Sequence, residues 1–236
     1  MARYAKCMDS NSMKRLGAII VAVLALVGYL VWSQESYEPE VDPVGASSGT
    51  GELAVEALAK LEIKGRAPKT GYTREEFYGS WGKIDGCDTR NVILKRDMWD
   101  VVLDGCLVMS GKLNDPYTAT LIEFTRGQGT SSAVQIDHVV AISDAWQKGA
   151  QYKDKSVRYE MSQDPLNLLA VDGPANSQKG DGDAATWLPP NKAFRCEYVA
   201  RQIAVKLKYE LWVTQAEHDA MSGVLEKCPD ERLITD

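Results

Sequence analysis

The chain has 236 residues, 44% of them hydrophobic and 25% charged, with a net charge of −6, which excludes a wholly disordered chain and fits one ordinary domain plus an extra segment. Its 19 glycines and 9 prolines follow no collagen-like period, and no internal repeat points to a solenoid. Four bases (Arg3, Lys6, Lys14, Arg15) and one acid (Asp9) precede Ser33, leaving 23 bases against 32 acids after it; a generic polyanion binder is thereby disfavoured, and a nucleic-acid function would need a local basic strip or a metal ion.

Leu16 to Trp32 carry no charge, with Lys14 and Arg15 before them and Glu35, Glu38 and Glu40 after. That asymmetry orients residues 1–15 toward the cytoplasm. The run is at the short limit for crossing a hydrocarbon layer of ~30 Å, and no A-x-A cleavage site follows. Residues 16–32 are therefore read as a signal anchor contacting the membrane, with a cleaved signal peptide and a secreted product as the alternative. Residues 33–51, rich in Ser, Gly, Pro and Glu, read as a flexible tether to a domain over 52–236.

Within that domain one core is expected. Leu53, Ala57, Leu58 and Leu61 predict a short helix within Glu52 to Ile63, and Thr73 with Glu76 has the form of a capping box opening another. Val92 to Leu94 and Val101 to Val108 read as strands, although Val101 to Leu103 could continue a helix from Arg96. Leu121 to Phe124 and Ala133 to Ile136 are candidate strands about a turn containing Gly127 and Gly129. A short helix follows at Ile142, Ala145, Trp146 and Gly149. Leu168 to Val171 reads as a strand entering a turn. Val199, Ile203, Leu207 and Leu211 stand four apart and predict a helix over Cys196 to Leu211.

The five cysteines contain no C-x-x-C pair and there are two histidines, which argues against a structural zinc site. The four cysteines after the apolar run allow three pairings. Cys87 with Cys106 and Cys196 with Cys228 is preferred because each joins neighbouring segments, and two disulfides imply an oxidising compartment.

The chemistry sits in Gln135-Ile136-Asp137-His138, a carboxylate beside an imidazole after a strand, followed by Asn167 and, nine residues on, Asn176 in Asn176-Ser177-Gln178-Lys179-Gly180-Asp181. Phosphodiester hydrolysis needs a water, a group to take its proton, and a cation against developing charge. A histidine neutral near pH 7 can be the base, and aspartate and amide oxygens suit a hard divalent ion. Taken singly, these residues have plainer readings: His138 as a half-buried structural histidine, Asn167 shaping a turn, Asn176 capping a helix.

Together with CDTRNVILKRD, NDPYTA, IDHVVAISDAW, NLLAVDGPANSQKGD and TWLPPNKAFRCEY, the residues resemble the HNH, or ββα-metal, endonucleases. More narrowly, they resemble the secreted type related to the C-terminal nuclease region of the GmrSD restriction enzymes. The likeness runs over most of Tyr72 to Cys228. It implies an α+β fold with a ββα-metal core and added helices. His138 matches the general base, Asp137 and Asn176 the ligands of one divalent ion (Mg2+, with Mn2+ as an alternative), and Asn167 the asparagine that braces the histidine segment. Val140 and Ala141 stand where many members have proline, and an asparagine stands where others have a final histidine.

The resemblance implies a nucleic-acid substrate, DNA by expectation, and identifies no obligate protein partner. From Asn176 to Lys208 six bases face three acids, a candidate basic strip in which Lys179 and Arg195 lie nearest the motif and are the candidate phosphate contacts. Trp81, Trp99, Trp146, Trp187 and Trp212 read as core residues. Two rival functions remain: a non-catalytic envelope or adhesion protein with the nuclease fold, and a glycan hydrolase, for which no carboxylate pair is identifiable.

Overall fold

The computed structural model describes residues 51–128 and 130–234; the expectations for residues 1–15 and 16–32, and nearly all of the 33–51 tether, lie outside them. Among the described residues, no helix is long and apolar enough to cross a membrane.

The N-terminal helix α1 covers Ala54–Leu58. It is shorter than the periodicity suggested because its flanks are used otherwise: Leu53 bridges to Arg232 and Ile63 to Val213. The capping-box segment forms a single 3-10 turn, Arg74–Glu76, with no cap bond from Thr73.

Strands β1 (Lys83–Ile84) and β2 (Cys87–Asp88) form a small antiparallel pair, and the chain then enters α2, Thr89–Asp97. A strand was expected at Val92 to Leu94. A three-residue apolar run is ambiguous by pattern alone, and here Asp88 decides it by accepting from Asn91 N–H at 3.0 Å as an N-cap. Strands β3 (Trp99–Asp104), β4 (Leu107–Asn114) and β5 (Leu121–Thr125) make an antiparallel sheet in that order.

Strand β6 (Val134–His138) does not continue this sheet but pairs antiparallel with β7 (Leu168–Asp172), setting His138 opposite Leu168 and Val134 opposite Asp172. Between them lie α3 (Ile142–Gln147) and α4 (Lys155–Gln163). From β7 the chain passes directly into α5, Gly173–Lys179, capped by Asp172, whose Oδ1 accepts from Ala175 N–H at 2.7 Å. Gly173 is required at this corner, since a Cβ would stand 2.2 Å from the Ser132 carbonyl oxygen. The β6–β7–α5 unit is thus strand, strand, helix. Helices α6 (Arg195–Lys208) and α7 (Gln215–Leu225) complete the domain.

The hairpin is buried on both faces, so the described residues form two apolar clusters where one core was expected. Ile136, Leu168 and Ala170 pack with Ile93, Leu94, Val108 and Phe124 on one side. Leu169 and Val171 pack with Tyr198, Val199, Ile203 and other residues on the other. Double burial explains why Leu168–Val171 is a continuous apolar run. The outer edge of β7 is covered by side chains: Asp97 accepts from Ala170 N–H at 2.8 Å, Arg96 donates to the Leu168 carbonyl at 2.6 Å, and Asp115 accepts from Asp172 N–H at 2.9 Å. Disulfides join Cys87 to Cys106 and Cys196 to Cys228.

Candidate active site

Strand alternation determines where the Asp-His pair points. On β6, Gln135 and Asp137 face α5, while Ile136 and His138 face the opposite side. On the first face two polar rungs connect strand to helix: Asn176 Nδ2 donates to Gln135 Oε1 at 2.9 Å, and Lys179 Nζ donates to both oxygens of Asp137 at 2.8 Å. The same ammonium donates to the His138 carbonyl at 2.7 Å. Tyr117 donates its hydroxyl to Asp137 Oδ2 at 2.5 Å. Burial, and then the neighbouring Asp137 charge, hold that phenol well above its ordinary value.

On the other face the His138 ring lies nearly parallel to Trp81 (12°, centroids 5.9 Å apart) and 5.5 Å from Tyr78. Its Nε2 is 2.9 Å from the Ser162 carbonyl oxygen. A carbonyl can only accept, so Nε2 carries the hydrogen and Nδ1 holds the lone pair. Burial is the main cause that lowers the imidazole pKa to about 3; the bond to Ser162 opposes it, and the charges of Arg74 and Lys179 add to it. The ring is therefore neutral throughout the physiological range.

Asn167, fully buried, clamps the segment after the histidine. Its Oδ1 accepts from Val140 N–H at 2.8 Å, its Nδ2 lies 3.4 Å from the Val140 and Met161 carbonyls, and its own carbonyl accepts from Val139 N–H at 2.8 Å. Three of the four candidate groups therefore concern one strand end, but not one cavity: Asp137 and Asn176 line the β6–α5 seam, and the His138 ring lies across the strand from them.

The candidate phosphate contacts are placed otherwise than expected. Lys179 is buried and spent on Asp137 and the His138 carbonyl, and Arg195 is half-buried with Nε donating to the Pro189 carbonyl at 2.7 Å. The basic strip is also broken up. Lys206 is buried against Glu217 at 3.0 Å, and Arg201 is buried, donating to the Leu166 carbonyl. Charge counted along a chain does not record which bases a fold turns inward.

Several neighbours of the site were missed. Trp81, read as core, is half-buried on the imidazole. Exposed Arg74 stacks over Tyr78, 4.9 Å from the ring centroid, and bonds its hydroxyl. Gln135 could have been found, since it stands two before Asp137 on a strand while Asn176 stands three before Lys179 on a helix, which puts both pairs in register.

The seam carries oxygen donors of the type a hard cation takes, but its carboxylate is already neutralised by a buried ammonium. A carboxylate and a half-buried amide offer oxygen donors, and the carboxylate already holds a positive charge, the Lys179 ammonium. A second acid group, Asp144, Asp183 and Glu217, brings its oxygens within metal-binding distance of one another. It is occupied by Lys148, which contacts all three carboxylates at 2.7–2.8 Å, with Arg66 and Lys206 completing the charge balance. Burial raises the Asp183 pKa, but the bond and charge of Lys148, with Arg66, override it and hold the group at about 2. A cavity of about 330 Å³ lined by Tyr152, Lys153, Val157 and Lys208, among others, shares no residue with the His138 site.

A family model described as the C-terminal domain of GmrSD restriction endonucleases matches residues 88–224. An "Uncharacterized secreted protein" of Arthroderma benhamiae is 34% identical over 194 residues, 80% of this chain and 92% of its own length.

Proposed function

Since the chain belongs to the family of GmrSD restriction endonuclease C-terminal domains and is thereby a nuclease-type domain, we propose that it is a metal-dependent endonuclease of the HNH type. In this reading it cleaves DNA phosphodiester bonds with His138 as general base. The observation that carries this reading is the fixed tautomer of His138: with Nε2–H committed to the Ser162 carbonyl, Nδ1 of a neutral ring is the atom left to accept a proton from water.

Asp137 and His138 leave opposite faces of β6, so in this reading a phosphodiester would have to reach both faces around the end of the strand. Asp137 and Asn176 would hold one divalent ion, Mg2+ or Mn2+, which when bound supplies Lewis-acid charge against the phosphate. Asn167 keeps the Val139–Val140 backbone fixed, and with it the direction of the imidazole. Exposed Arg74 offers a guanidinium beside the aromatic wall of the histidine, suited to a flanking phosphate. The proposed nuclease domain spans residues 52–236. Two disulfides, and a relative described as secreted, support an extracytoplasmic location, either anchored through residues 16–32 or released.

A second reading, a non-catalytic envelope protein with the nuclease fold, is favoured by the enclosure of His138 and by the lysine on Asp137. Plasmid nicking separates the two. The purified full chain should nick DNA with Mg2+ or Mn2+ and stop with EDTA, and His138→Ala should lower the rate per folded molecule by about 10²–10⁴-fold, the folded fraction being measured alongside by thermal melting. Absence of cleavage of any nucleic acid, with or without metal, would favour the second reading, and full activity in His138→Ala would remove the base assignment.

A further inference from the structure

Resting on the reading of Asp137 as a cation ligand, we propose that the Lys179 ammonium is the resident occupant of that seat, and that a divalent ion binds there only by displacing it. The three hydrogens of the ammonium are matched to three acceptors: the two Asp137 oxygens at 2.8 Å and the His138 carbonyl at 2.7 Å. A carboxylate offers about four lone-pair sites. Lys179 uses one on each oxygen and Tyr117 takes a second on Oδ2, which leaves a single site on Oδ1. That site allows at most one-point ligation by Asp137, directly beside the ammonium.

Charge gives the same result. The Lys179 side chain is fully buried and that of Asp137 is 6% exposed. A doubly charged ion entering beside the ammonium would meet repulsion unrelieved by water. Neither buried charge can be left unpaired cheaply, so the seat holds one cation or the other.

Displacement requires the buried ammonium to leave past the end of α5. Lys179 is the last residue of α5, followed by Gly180 at φ +56°, so its four-carbon stem leaves the helix where the chain turns away. Half-buried Gln135 and Asn176 form the outer end of the seam. An arriving nucleic-acid phosphate would supply the anion that lets the ammonium leave Asp137 without becoming unpaired. Metal loading is then coupled to substrate: the protein alone holds divalent ions weakly, and Lys179 changes partner from carboxylate to phosphate.

Mn2+ binding to the full chain in detergent, followed by electron paramagnetic resonance without nucleic acid, tests this. Lys179→Met and Lys179→Gln, the latter retaining a donor for Asp137, should each bind Mn2+ about tenfold or more tightly than wild type, the size expected when a repelling charge is removed. Adding Asp137→Asn should abolish the gain. Unchanged or weaker binding in the folded variants overturns the proposal. The wild-type chain gives an independent reading: acetylation of Lys179, mapped by mass spectrometry, should rise several-fold at saturating Mn2+, and protection that Mn2+ leaves unaltered overturns it as well. Metal-dependent nicking combined with either negative result removes only this proposal, whereas nicking that EDTA does not affect removes the metal reading on which it rests.

Discussion

The Ser162 carbonyl decides which nitrogen of His138 can act as a base, and burial decides over what pH range. An unfolded histidine titrates near 6.5, while the folded ring is held to about 3. Below 6.5 the unfolded chain takes a proton that the folded one refuses, so stability falls as pH drops from 6.5 toward 3 and is unaffected above it. His138→Asn should remove up to one proton of this dependence, about 1.4 kcal/mol per pH unit, in urea titrations between pH 6 and 4. Single-turnover cleavage should accordingly show no acid limb at 6.5, and an inflection there would mean that another group controls the base. Asn167 acts at the same scale. Asn167→Ala strands the Val140 N–H in the interior and should cost about 1–3 kcal/mol by urea unfolding, with a loss of cleavage exceeding the loss of folded protein.

At the scale of elements, the β6–β7 hairpin was legible and its surroundings were not. Its strands announce themselves by apolar runs and by the Asp-Gly-Pro corner, and Gly173 and Pro174 are turn and helix-start residues wherever they occur. What covers the edge of β7 could not be read, because Arg96 and Asp97 do so from more than 70 residues away in sequence and local pattern carries no such partner. The stretch that ends in those residues was taken for a strand near its middle, where Asp88 capping makes it helical. Helices α3 and α7 are tied by Lys148, which is fully buried among Asp144, Asp183 and Glu217. Lys148→Met would leave three acids facing only Arg66 and Lys206. It should cost about 3–5 kcal/mol in chemical denaturation, and a neutral outcome would show that the network is not needed for the packing of these helices.

For the whole molecule, the two disulfides join residues 19 and 32 positions apart, one tying β2 to the turn between β3 and β4 and one tying the start of α6 to the chain after α7. Chain-entropy arguments give each about 3–4 kcal/mol. Alkylation of the unfolded full chain should label Cys87, Cys106, Cys196 and Cys228 only after reduction, and four thiols reactive beforehand would remove the oxidising-compartment argument. The acidic bulk of the molecule and the inward turn of Lys179, Arg201 and Lys206 leave no continuous basic surface along that stretch. On the proposed reading, affinity for nucleic acid would rest on a few local contacts such as Arg74 and on a cation at Asp137. Cleavage should consequently depend less steeply on monovalent salt than in a protein with a broad basic face.

The sequence determined the strand-strand-helix order through its likeness to the ββα-metal nucleases, and the cysteine partners preferred by proximity and the residue types able to run the chemistry through local spacing and side-chain identity. Only the tertiary structure decided that Asp137 and His138 face opposite ways, that the histidine is neutral with its lone pair on Nδ1, and that a lysine sits on the carboxylate expected from sequence to hold a metal. Those outcomes depend on burial and on partners remote in the chain, Ser162, Trp81, Tyr117 and Lys179, whose distances in space no spacing along a sequence encodes.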